Sequence, residues 1–102
     1  MTYDIIHLIF EPEDEKMYYP HSIKTIRDKI GKFKNETSKP ELQKDIDHIL
    51  WMLGQIENMK IDQSAKAGRW IGWIQANLEF IGIIRNQESR EMIKIDVMNN
   101  ND

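Results

Sequence analysis

The stretch SAKAGRWIGWIQANLEFIGII, residues 64–84, decides how the chain is read. Its apolar residues return every three or four positions, which predicts a helix over about residues 63–81. Asp62 stands where an N-cap belongs. Gly82 suits the left-handed position just past the end, with Ile83 packing back over the last turn. Two features set this helix apart. Gly68, Gly72 and Ala76 lie four apart, and Ala65 joins them on the same side, forming a ridge of small residues. Each glycine costs roughly 0.8–1 kcal/mol of helix propensity relative to alanine. Two such costs imply a compensating gain, and close backbone approach by another helix is the first candidate, with a ligand as the second. The helix is also apolar over more than one face. Trp70, Ile71, Ile74, Leu78 and Ile81 mark one side, and Trp73 and Phe80 drift to another. A helix apolar nearly all round is covered nearly all round, and three helices of one small chain would leave a side of this one bare. An oligomer formed through it is therefore expected.

The same segment holds the candidate binding residues. Arg69 and Trp73 are four apart, so the guanidinium can lie over the indole. Lys66 stands one turn earlier, and Gln75 and Asn77 add amide donors and acceptors. Tryptophan and arginine are the residues most enriched at protein–protein hot spots. Stacking on tryptophan with an arginine fork on phosphate would equally hold a nucleotide. Lys66, Arg69, Trp70, Trp73, Gln75 and Asn77 are the expected ligand or partner contacts.

Upstream, Ile23, Ile26, Ile30 and Phe33 predict a helix over 22–34. Leu42, Ile46, Ile49, Leu50, Leu53, Ile56 and Met59 predict a second over 41–59. Ser38-Lys39-Pro40-Glu41 has the spacing of a capping box at its start. Downstream, Asn86 is placed to cap a short fourth helix over 87–94, and residues 99–102 read as a disordered tail. Thr2–Phe10 (TYDIIHLIF) reads as a short strand, for which Ile93–Val97 or the same segment of a second copy could supply the pairing. The expected architecture is mainly α. It is an antiparallel helical hairpin or three-helix bundle with a strand-like N-terminal segment, one domain over residues 1–98, expected to form an oligomer on the argument above. Connections of a few residues make neighbouring helices antiparallel.

Composition narrows the function classes. The 102 residues are 40% apolar and 30% charged, the balance of an ordinary globular chain. With no cysteine, disulfides, thiolate zinc sites and cysteine nucleophiles drop out. No apolar run is long enough to span a bilayer, and no secretory leader is evident, so a cytoplasmic protein is expected. Charge is segregated: net −4 over residues 1–20, +4 over 21–40 (Lys24, Arg27, Lys29, Lys32, Lys34 and Lys39 against two acids), −3 over 41–62 and zero beyond. An isoelectric point near 5.6 argues against a dedicated duplex-DNA binder. His7, His21 and His48 are scattered. Glu41, Asp45 and His48 share a helix face, but a solvated polar face accounts for them better than a metal. The acidic run Glu11–Glu15 lacks a calcium-loop pattern. No nucleophile elbow, phosphate loop or dinucleotide fingerprint is present. Neither an enzyme nor a bound cofactor is expected.

His48-Ile49-Leu50-Trp51-Met52, then Arg69-Trp70-Ile71-Gly72-Trp73-Ile74-Gln75, Leu78, Gly82 and Glu88…Arg90 resemble a group of small, largely uncharacterised bacteriophage-encoded helical proteins. These share an H-x-x-W-M stretch followed by R-W-hydrophobic-G-x-x-Q-x-x-L and a later glycine. The resemblance spans roughly residues 45–92. Where that group often has glycine after the glutamine, Ala76 stands here and keeps the residue small. The resemblance implies a phage origin. In that setting the expected function is inhibition of a host protein, such as a defence component, by protein–protein contact. The alternative is an oligomeric sponge that sequesters a nucleotide-type signal at a subunit junction.

Overall fold

The computed structural model describes residues 17–37 and 39–100, which form four α-helices: α1 Pro20–Glu36, α2 Gln43–Glu57, α3 Ser64–Ile81 and α4 Asn86–Asn100. Single 3-10 turns, Pro40–Leu42 and Ile61–Gln63, precede α2 and α3. Among the described residues there is no strand. The strand expected over residues 2–10 lies outside them, as does Ser38 with its capping box.

Each helix buries the stripe its periodicity announces. Ile23, Ile26 and Ile30 of α1 meet Ile46, Ile49, Leu53 and Ile56 of α2 and Ala67, Ile71, Ile74 and Leu78 of α3. Ile84 and Met92 close the core from the α4 side. Contacts between elements show antiparallel neighbours. Arg27, midway along α1, pairs with Glu57 at the end of α2, while Phe33 near the end of α1 lies beside Ile46 in the first turn of α2. Trp51 meets Trp70 while His48 meets Trp73, which runs α2 against α3. Asp96 reaches Ser22 while Glu88 reaches Lys29, which runs α4 against α1.

Three boundaries differ from the sequence reading. Helix α4 runs to Asn100 instead of ending at Lys94. Ile93–Val97 is therefore helical and offers no edge for a strand. Its β-branched residues are overridden by the spacing of Ser89, Met92 and Asp96, all buried and three and four apart. Asp62 does not cap α3. It sits in the 3-10 turn, where Gln63 Oε1 accepts the Lys60 N–H at 2.7 Å. Tyr18 Oη donates to the carbonyls of Lys60 at 2.9 Å and Ile61 at 2.5 Å from the far side of that turn. Asn86 is the first residue of α4 instead of its cap. Glu88 reaches back to accept the Arg85 N–H at 2.8 Å.

Helix α1 is started by a residue from the other end of the fold. Tyr19 takes the left-handed conformation (φ 53°) and has no side-chain cap of its own. Pro20 follows with its N–H already absent. The carboxylate of Asp96, 1% exposed, accepts the His21 N–H at 2.9 Å, the Ser22 N–H at 2.8 Å and the Ser22 Oγ–H at 2.5 Å. The first turn of α1 thus receives the anion its dipole favours. At the end of α3, Gly82 (φ 95°) donates to Glu79 O at 3.1 Å and Ile83 to Leu78 O at 2.9 Å. This is the Schellman closure that the glycine was expected to make.

Candidate functional site

Two pairs of aromatic residues with the same three-residue spacing, His48/Trp51 and Trp70/Trp73, lie on facing turns of α2 and α3. Because the helices run antiparallel, the four rings form one surface cluster. His48 stacks on Trp51 with centroids 5.7 Å apart and planes 19° apart. It meets Trp73 edge-on at 5.7 Å and 88°. Trp51 leans toward Trp70 at 6.1 Å. Trp70 is the anchor, half-buried against the core. Trp51 and Trp73 remain 54% and 47% exposed. Lys66 holds its ammonium 5.0 Å from the Trp70 ring centroid, a cation–π contact at the edge of the cluster. Two turns beyond Trp73, Phe80 is 92% exposed.

The expected residues divide into three groups. Lys66, Trp70 and Trp73 are brought together in the cluster. Arg69 is exposed next to it, but its predicted stacking on Trp73 is replaced by that of Lys66 on Trp70. The Trp73 ring meets His48 on α2. Gln75 and Asn77 are occupied within the chain. Gln75 is buried and donates from Nε2 to Ser89 O at 3.1 Å. Asn77 Nδ2 donates to Trp73 O one turn back at 2.8 Å. These two amides tie α3 to α4 and to itself, each through one of its two N–H groups.

The small-residue ridge also splits. A Cβ at Gly68 would stand 3.3 Å from Tyr19 Oη, so this glycine makes room for the residue that precedes α1. A Cβ at Gly72 would meet nothing within 4 Å, and Ala65, Gly72 and Ala76 are exposed. The outward side of α3 is therefore small residues flanked by Arg69, Trp73 and Phe80, with no neighbour from the described part of the chain. The residue of α3 that does pack tightly inside is Ala67, fully buried.

Sequence reasoning missed the role of His48, which it placed on a polar face with Glu41 and Asp45, and did not count Trp51 of α2, though set near the ridge of α3, among the expected contacts. The signal was present in the matched spacing of the two pairs. Recognising it required knowing that α2 and α3 bring residues 48 and 73 to one level.

No protein-family profile, curated protein or solved structure matches the chain. The arrangement itself offers planar, partly apolar surface with two cations at its margin, suited to stacking and to close apolar contact.

Proposed function

We propose that this chain is a non-enzymatic binding protein that works as an oligomer and acts by protein–protein contact through the outer surface of α2 and α3. In the bacteriophage setting that the resemblance implies, the contact inhibits a host protein, with a defence component as the expected class, in the cytoplasm of the infected cell. The observation that carries this reading is the exposure of Trp51, Trp73 and Phe80 on one side of a small bundle. Large aromatics held in water cost free energy that burial against a partner returns, and partly pre-ordered rings lose little entropy on binding. The stacking of His48 on Trp51 and the anchoring of Trp70 provide that order. No described helix is long and apolar enough to cross a membrane.

A tagged chain used on host lysate is expected to retain one discrete protein, and Trp51→Asp is expected to release it without loss of helicity. Retention undiminished in Trp51→Asp and in Trp73→Asp would overturn the reading. The cationic margin supports a second one. Lys66 over Trp70, with Arg69 exposed beside it, is what an anionic nucleotide would meet. Thermal shift with cyclic and linear nucleotides separates the two, because a ligand of the folded state must raise Tm by linkage. Contact with protein alone predicts no shift. A shift abolished by Arg69→Ala favours the sponge.

A further inference from the structure

The outward face of α3 carries a pattern that is symmetric about the level of Ile74. Gly72 and Ala76 lie two residues to either side of it, and Arg69 and Glu79 lie five to either side. At 100° per residue these four positions fall within one narrow sector of the helix. We infer that this face is covered by the same face of a second copy of the chain, the two α3 helices running antiparallel about a two-fold axis at the level of Ile74. The inference rests on the reading of α3 as a contact surface and names its occupant.

An antiparallel two-fold places each position opposite the one equally far on the other side of the axis. Gly72 then meets the partner subunit's Ala76, small against small, so the backbones can approach to about 8 Å. The open space at the Gly72 Cβ position is where that second helix lies. Arg69 meets the partner subunit's Glu79. Among the described residues Arg69 has no ion pair, and the Glu79 carboxylate accepts only from neutral donors, Ser89 Oγ at 2.9 Å and Asn86 Nδ2 at 3.2 Å. One base and one acid on a face, placed so that a second copy satisfies both, is charge complementarity with itself. Antiparallel pairing also brings like flanks together, which sets Phe80 beside the partner subunit's Arg69. Phe80 leaves on the order of 200 Å² of aromatic surface in water per chain, part of the roughly 800 Å² that each partner of a stable pair buries, while Trp51 and Trp73 stay open to another protein.

The chain has no cysteine, so paired single-cysteine variants of the full-length protein report the register directly. Gly72→Cys mixed with Ala76→Cys is expected to cross-link under mild oxidation at least tenfold faster than either variant alone. Faster linkage within either variant alone indicates parallel pairing and overturns the inference. Sedimentation velocity of the wild-type chain is expected to show a dimer. Arg69→Glu is expected to weaken it about a hundredfold, and Arg69→Glu combined with Glu79→Arg to restore it. Arg69 is exposed, so its single variant keeps the fold even where Glu79→Arg disturbs the contacts to α4. A chain that stays monomeric at all concentrations overturns the pairing, whereas the contact reading fails if Trp51→Asp and Trp73→Asp both leave partner retention undiminished.

Discussion

Asp96 is the residue on which two helices depend at once. Its carboxylate is buried and receives three hydrogen bonds from His21 and Ser22. Removing it strands two backbone N–H groups and a hydroxyl without water. Asp96→Ala is therefore expected to lose about 2–4 kcal/mol of unfolding free energy, measured by urea titration. Asp96→Asn keeps an acceptor for part of the set and should lose less. Gly72 makes the opposite case. Nothing stands near its Cβ position, so Gly72→Ala should stabilise the isolated subunit by about 0.8–1 kcal/mol through helix propensity alone. The comparison is made at concentrations below those of association. A loss of stability there would mean that something inside the chain occupies the site.

At the scale of elements, the ends of the helices are where sequence and structure part. Gly82 was readable because a left-handed residue after an apolar stripe has few alternatives. Its φ of 95° makes Gly82→Ala expected to cost about 1–2 kcal/mol. Asp62 was misleading because a good capping residue is useful only if the helix begins there, and here a 3-10 turn held by Tyr18 comes first. The length of α4 was hidden by β-branched residues whose burial pattern shows only once α1 is in place. Glu88 carries the junction of α4 with α1. The hydrogen bond from Lys29 and the backbone N–H of Arg85 hold its carboxyl below the usual carboxylate range. A carboxyl lowered on folding adds stability that is fully present above its unfolded value, near 4.5, and lost as pH falls through the folded value. The unfolding midpoint in urea should therefore fall more steeply with acidification below about pH 4.5 in the wild-type chain than in Glu88→Gln. Equal slopes would remove Glu88 from the account.

For the molecule as a whole, the exposure of Trp73 and Phe80 on α3 was legible from composition and period alone. Trp73 and Phe80 could not share a face with Ile74 and Leu78, and they do not. The aromatic cluster was legible only in half. Lys66, Trp70 and Trp73 belong to one helix and obey its spacing, whereas His48 and Trp51 join them through the packing of α2, which no local pattern encodes. Gln75 has a bracing role that was hidden for the same reason, since its hydrogen-bond partner Ser89 lies fourteen residues away.

The clasp between Asp96 and the first turn of α1 joins positions some 75 residues apart. Neither end of the bundle can therefore loosen alone. A chain shortened to residue 95 would free the amides of His21 and Ser22 together with the last turns of α4, and hydrogen exchange should show both regions opening as a single unit in the intact chain. Because this latch lies late in the sequence, the first turn of α1 gains its anion only once α4 has been made.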